Sequence, residues 1–313
     1  MPGRCLILPV FLLIAHYCVA HVQLLEEWQV DVPLGAAGLP HPVVCPNGTL
    51  YMVGQGGKIT VVDRQGKVGS DSHQTVLKAA TALACDAQGR LYVASPDFVA
   101  VVEPKSTGDY RVVSTGYAKI SAYAIAAAED GRIFVAGRRA GNGFPLHLMT
   151  TDGKMIRSFG EGSPNSDPSP VLMDGFLLWN ARERRLLMAP RTMPEIQVYS
   201  GDGDEVSVKD LGVPQWEDEW IHELWGMAFG PSGRIVIQGL VRAWPPGPTG
   251  RFLNVLDRNL NRPRRGLRSP YGILVGSDRD GVLYFVSNRR VRRVRIVTLE
   301  DSDMPGVSLE PVL

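Results

Sequence analysis

The stretch Ala82-Leu-Ala-Cys-Asp-Ala-Gln-Gly89-Arg-Leu-Tyr-Val-Ala94 decides the fold, because the chain keeps restating it. An apolar run leads into a polar turn that ends in glycine, and a second run of β-branched and aromatic residues leaves it. The same order recurs in Pro42-Val-Val-Cys-Pro-Asn-Gly48-Thr-Leu-Tyr-Met-Val53 and in Ile125-Ala-Ala-Ala-Glu-Asp-Gly131-Arg-Ile-Phe-Val-Ala136. It returns in Met227-Ala-Phe-Gly-Pro-Ser-Gly233-Arg-Ile-Val-Ile237 and Gly272-Ile-Leu-Val-Gly-Ser-Asp-Arg-Asp-Gly281-Val-Leu-Tyr-Phe-Val286. A degenerate copy, Phe176-Leu-Leu-Trp-Asn180 and Arg185-Leu-Leu-Met-Ala189, is joined by the glycine-free turn Ala181-Arg-Glu-Arg184. Counted from Gly48 through Gly89, Gly131, Glu183 and Gly233 to Gly281, the spacings are 41, 42, 52, 50 and 48 residues.

Short runs of this composition, bounded by Gly, Asn and Asp, are strands joined in hairpins. Glycine supplies the positive φ that the tightest turns need. One four-stranded sheet cannot bury both of its faces, so six copies must stack, and a closed ring leaves no open end. The expectation is an all-β, six-bladed β-propeller with four-stranded antiparallel blades. The early segment Leu24-Leu-Glu-Glu-Trp28-Gln-Val30-Asp-Val32 stands where other copies carry their outermost strand. It is expected to complete the sixth blade beside Val291 to Leu299, with Gly306 to Leu313 as a competitor for that edge.

Composition agrees. The 313 residues are 44% hydrophobic and 21% charged, which excludes a disordered or collagen-like chain. Lys+Arg (33) balances Asp+Glu (32), so no overall field favours nucleic acid or an anionic membrane. Met1 to Arg4, the apolar Cys5 to Ala15 and the small-residue end Val19-Ala20 read as a secretory signal over residues 1–20, cleaved after Ala20. The mature chain, residues 21–313, is then one secreted or periplasmic propeller domain, expected as a monomer, with no later segment that reads as a membrane span. Cleavage removes Cys5 and Cys18 and leaves Cys45 and Cys85. An oxidising compartment permits these to pair, while two buried free thiols are the plainer expectation. Neither lies in a CxxC pair or a Cys/His cluster, so the sequence holds no cysteine zinc site.

The unit "apolar strand, Asp/Asn-x-Gly, Leu/Ile-Tyr/Phe-Val" resembles the NHL-repeat group of six-bladed propellers, over residues from about 24 to 300. That group adjoins the gluconolactonase-like and strictosidine-synthase-like propellers. The resemblance implies the fold; its motif consists of turn glycines and core strands and carries no chemistry. Gluconolactonase-like relatives imply a Glu, an Asn and an Asp around a divalent cation, and that trio has no counterpart on the inner strands of this chain.

Propeller ligands usually sit at the mouth of the central channel, on the face that gathers the loops entering each blade and those between second and third strands. The richest stretch there is Gln215-Trp216-Glu217-Asp218-Glu219-Trp220-Ile221-His222-Glu223-Leu224-Trp225, entering the fifth blade, whose second-to-third loop carries Trp244. Aromatic faces beside carboxylates suit a protein, peptide or carbohydrate ligand. Trp216, Trp220, His222, Glu223 and Trp244, with Arg138 and Arg191 from neighbouring loops, are the candidate binding residues. The same Trp residues packed between blades is the competing structural reading. The rival function is a metal-dependent hydrolase or lyase of the lactonase type. It would place Asp174, His222 and Glu223 as catalytic groups near Ca2+ or Zn2+, with His41 as a further ligand candidate. No Gly-x-Ser-x-Gly and no phosphate-cradling loop is present.

Charge is polarised along the chain: Gly201 to Glu223 holds eight acidic residues and one Lys, and Asp257 to Ile296 holds eleven Arg and three Asp. Complementary charge between neighbouring blades accounts for this, or else an anionic partner does.

Overall fold

The computed structural model describes residues 21–32, 42–54, 58–69, 72–73, 77–104, 110–163, 166–211, 219–243, 250–261, 266–287 and 289–299. The expected signal segment, its cleavage point and Gly306 to Leu313 lie outside these residues.

Strand β1 (His21–Asp31) comes first in the chain and is used last in the ring. The first blade is β2 (Val43–Val44), β3 (Leu50–Val53), β4 (Lys58–Val62) and β5 (Ser72–His73). The second is β6 (Ala82–Cys85), β7 (Leu91–Ala94), β8 (Phe98–Pro104) and β9 (Tyr110–Tyr117). The third is β10 (Ile120–Ala127), β11 (Arg132–Arg139), β12 (Leu146–Thr150) and β13 (Met155–Phe159). After the single-turn helix α1 (Pro170–Met173) the fourth follows with β14 (Gly175–Asn180), β15 (Arg185–Pro190), β16 (Glu195–Ser200) and β17 (Glu205–Asp210). The fifth is β18 (Glu219–Phe229), β19 (Ile235–Ala243), β20 (Gly250–Val255) and β21 (Leu267–Arg268). The sixth is β22 (Ile273–Ser277), β23 (Leu283–Ser287) and β24 (Arg290–Leu299), with β1 as its outer strand. Every pairing is antiparallel, and the inner strands β2, β6, β10, β14, β18 and β22 touch in sequence round to β2, closing the ring.

Among the described residues the core divides into six apolar clusters, one between each pair of neighbouring blades. Strand side chains alternate between faces, and here both faces meet another blade. In β7, Tyr92 and Ala94 pack toward the third blade, while Leu91 and Val93 pack toward the first. That is why these strands read as continuous apolar runs.

The turns are built by side chains that cap their own backbone. Asp86, Asp257 and Asp278 each accept, through Oδ1, the amides two and four residues on, as Asp63 also does. Glycine three residues after the cap takes the left-handed position, as at Gly89 and Gly281 (φ 80° and 74°). At Gly281 space also demands it, since a Cβ would lie 2.4 Å from the Gly230 carbonyl carbon of the neighbouring blade. Two turns depart from this rule: Leu260 stands in the glycine position with φ 63°, and Arg184 has φ 52°.

Closure is as expected. Strand β1 runs antiparallel to β24, from His21 opposite Leu299 to Asp31 opposite Arg290. Among the described residues the arginines of β24 find their counter-charges on β1 and in the sixth blade. Arg290 pairs with Asp31 (3.3 Å), Arg292 with Glu26 (3.4 Å) and Arg295 with Glu27 (2.6 Å). Arg293, 6% exposed, pairs with Glu27 and with Asp278 (2.6 Å) and donates to the Tyr284 hydroxyl. That hydroxyl donates in turn to the Gly48 carbonyl of the first blade at 2.9 Å. Pairing across closed edge strands brings these groups together, a proximity that linear sequence does not display.

Cys45 and Cys85 form a disulfide, with Cα atoms 5.1 Å apart. The free-thiol expectation fails because β2 and β6 are adjacent inner strands and both cysteines sit at their turn-side ends. The ring geometry places them within reach.

His147 is fully buried in the third blade. Its Nε2–H donates to the Gly137 carbonyl (3.1 Å), and its Nδ1 accepts from Ser158 Oγ (2.9 Å). Burial, more than the nearby Arg139 charge, lowers its pKa from 6.5 to about 4. The folded state therefore holds a neutral ring, while the unfolded chain takes up a proton below about pH 6.5. The stabilisation is full above that pH and is lost as pH falls toward 4, by about 3 kcal/mol for a shift of this size. Urea unfolding at pH 7 and pH 4 should show this loss in the parent chain. His147→Gln should lower stability at pH 7 and flatten the difference; an unchanged pH dependence in that variant would refute the assignment.

Candidate functional site

The inner strands enclose an apolar channel of about 240 Å³. None of the described residues lining it carries a carboxylate, imidazole, ammonium or guanidinium group. Its wall is made of small and aliphatic side chains such as Ala84, Ala126 and Leu178, with Phe176, Trp179 and Phe229 as the larger members. On the face where the inner strands begin, Tyr123 and Ile273 are exposed by 44% and 37%. Tyr123 sits where the register between β10 and β11 slips, and such a bulge re-aims a side chain.

None of the described sequence-derived candidates is among the residues lining this channel. His41, Trp216 and Trp244 lie outside the described residues. Trp220, His222 and Glu223 lie on β18: Trp220 is opposite Arg242 and Glu223 opposite Leu240. His222 is the extra residue of a bulge and is exposed, while Glu223 is half-buried. Asp174 and Arg191 are brought together as an ion pair at 3.3 Å, and the Arg191 guanidinium lies 5.5 Å from the centre of the Phe176 ring. The Arg191 carbonyl also accepts the Leu224 amide at 2.7 Å, which ties the fourth blade to the strand carrying His222 and Glu223.

Arg138 pairs with Asp167 through Nη2 and Nε (2.9 and 3.3 Å). Asp167 precedes helix α1 and Asp174 caps its end. The two arginines thus hold the two ends of the crossover into the fourth blade. Among the described residues no group of three His, Cys, Asp or Glu side chains converges in a way that could hold a metal ion.

A contact beside β18 joins two residues that the sequence reading did not choose as binding candidates. Trp225 is stacked under the Arg251 guanidinium at 4.6 Å, and its indole Nε1 is buried with no hydrogen-bond partner. Arg251 Nη1 reaches the Tyr271 carbonyl at 3.4 Å. A signal for this mouth was available: Thr81, Tyr123, Trp225 and Ile273 each stand eight residues before the turn glycine of their repeat, at Gly89, Gly131, Gly233 and Gly281. At this repeat position Thr81, Tyr123 and Ile273 line the channel, while Trp225 packs against Arg251.

The opposite face carries a second, larger cleft of about 800 Å³, lying against the fourth and fifth blades. Ala127, Trp179, Phe229 and Ser277 line both spaces, so the cleft meets the channel at its turn-side end.

No family model matches the chain, and no curated protein matches its sequence. Solved structures do. Virginiamycin B lyase from Staphylococcus aureus superposes with a TM-score of 0.53 at 12% identity, over 88% of this chain and 100% of that one. A catalytically inactive form of that lyase with quinupristin gives 0.52 at 13% identity, over 88% and 100%. A Bacteroides thetaiotaomicron protein of unknown function gives 0.54 at 12% identity, over 88% of this chain and 77% of that one. Identities this low carry the fold alone. The chain is a six-bladed, four-stranded β-propeller structurally similar to virginiamycin B lyase and to the Bacteroides propeller.

Proposed function

We propose that this chain is an exported, NHL-like binding propeller that takes a protein, peptide or carbohydrate partner on its loop face, with an uncharged group of the partner seated in the channel mouth. The observation that carries this reading is the channel itself: concave, apolar, free of acid–base side chains among its described lining, with Tyr123 and Ile273 presented at the entrance. Sites of this kind bind by burying apolar surface against a few oriented polar groups. Glu223 and His222 on β18 and the Asp174–Arg191 pair are our candidates for those polar groups. The Cys45–Cys85 disulfide supports export, because such bonds persist in oxidising compartments.

The test is binding to arrays of defined peptides and glycans, with Tyr123→Arg as the probe variant. Tyr123 is exposed, so the variant should fold, and the new charge should weaken a captured ligand at least tenfold. An array without a single retained peptide or glycan, or a Tyr123→Arg protein that binds like the parent, would overturn the reading. The hydrolase or lyase alternative is separated by the metal content of protein purified without chelator or metal-affinity tag. Stoichiometric calcium or zinc, lost in His222→Ala/Glu223→Ala together with turnover of lactones or esters, would replace the binding propeller with the enzyme.

A further inference from the structure

The 800 Å³ cleft on the turn face has an uneven charge balance. Five carboxylates line it, and each is already engaged. Asp86 is held by Arg90 and the Tyr92 hydroxyl, and Asp278 by Arg293. Asp257 accepts two amides and the Asn261 side chain, Glu129 accepts the Trp179 indole N–H, and Glu183 meets Arg185. Of its six cations, Arg185 pairs with Glu183 and Arg279 with Asp280, but others are not matched in this way. Arg182, Arg234 and Arg258 line the same cleft, are exposed, and form no ion pair among the described residues.

These three arginines come from three separate turns: β14 to β15, β18 to β19, and the turn after β20. Each of those turns holds a residue other than glycine in the left-handed region, namely Arg184, Ser232 and Leu260 (φ 52°, 59° and 63°). Only Lys119 shares that conformation elsewhere among the described residues. Backbone in this region is kept where something else requires it. Lys209 adds a further cation from β17 on the cleft wall; the Asn261 hydrogen bonds, and more weakly the Lys209 charge, hold the Asp257 carboxyl below its usual range.

We infer that this cleft is a second ligand site, distinct from the loop-face mouth, and that it takes a small organic polyanion bearing several carboxylate, phosphate or sulfate groups. The guanidinium fork matches the paired oxygens of all three groups. The cleft's volume lies in the range of small-molecule pockets. Its floor is buried aliphatic surface from Leu187, Val198 and Ile235, which would lie under the ligand's carbon frame while the arginines meet its charges at the rim.

The experiment is calorimetric titration of the full mature chain at low and at physiological salt, with citrate, inositol hexakisphosphate and a sulfated disaccharide as the three probes. At least one should bind with one-to-one stoichiometry and weaken as salt rises, and the preferred probe identifies which oxyanion the site takes. The variant Arg182→Gln/Arg234→Gln/Arg258→Gln should lose at least tenfold in affinity while melting like the parent, since all three side chains are exposed. The control Arg111→Gln/Arg157→Gln/Arg268→Gln removes the same charge from exposed sites outside the cleft and should bind as the parent does. Absence of one-to-one binding by all three probes at low salt, or an equal loss in the control, would overturn the inference.

Discussion

Arg293→Met is expected to lower the free energy of unfolding by about 3–5 kcal/mol, the usual effect of leaving a buried charge without its partner. The guanidinium is 6% exposed and is shared among Asp278, itself 3% exposed, Glu27 and the Tyr284 hydroxyl. Burial pushes the Asp278 carboxyl up and the Arg293 guanidinium down from their ordinary values, so both charges depend on partners, with Arg64 (3.7 Å) also facing Asp278 and Glu27 also facing Arg293. The network also spans the seam, because Glu27 lies on β1, Asp278 precedes β23, and Tyr284 reaches the first blade through Gly48. Asp278→Asn/Arg293→Met should recover a large part of the loss, since Asn retains the Oδ1 that caps the Asp280 and Val282 amides. Urea titration of the three proteins checks this. A single variant within about 1 kcal/mol of the parent would show that the seam is held by strand pairing and packing alone.

Reducing the Cys45–Cys85 disulfide carries the second large effect. It closes a loop with a sequence separation of 40, for which the loss of denatured-chain freedom corresponds to about 4 kcal/mol. The bond joins the turn-side ends of β2 and β6, so it also holds the first blade, whose inner strand is only two residues long, to the second. Thermal or urea unfolding with and without reductant should show the shift, and Cys45→Ala/Cys85→Ala should reproduce it while becoming insensitive to reductant. If reductant shifts the parent by less than about 1 kcal/mol, the bond constrains little that the ring does not already constrain. Partial unfolding confined to the first blade would instead locate the effect there.

The fold was legible because its determinants are local and repeated. A capping Asp or Asn, a turn glycine and a strand of Leu, Tyr and Val recur at nearly constant spacing, and each piece folds by the same hairpin geometry. Even the use of Leu24 to Val32 as the closing strand followed from its alternation and its place in the repeat. The degenerate turn at Ala181 to Arg184 kept its structure without glycine, with Asn180 capping the Glu183 amide and Arg184 taking the left-handed conformation. The candidate site was legible only in part. Asp174 and Arg191 stand out in the sequence as loop residues, but the sequence cannot say that they pair with each other. Arg138 has a counter-charge in Asp167, twenty-nine residues away, and the bulges that turn Tyr123 and His222 outward exist only in the pairing with β11 and β19.

Sequence alone determined the architecture of this protein: strand order, blade number, the closing strand and the turn chemistry. Those features depend on local propensity and on burial patterns that any chain with this repeat must satisfy. Tertiary structure decided everything that depends on which distant residues become neighbours. It paired Cys45 with Cys85, set the arginines of β24 against the acids of β1, left the described channel wall without carboxylate, imidazole, ammonium or guanidinium groups, and gathered Arg182, Arg234 and Arg258 into one cleft. The physical reason is that charge and thiol chemistry act over a few ångströms in space, and ring closure brings together residues from different repeats whose proximity no periodicity records.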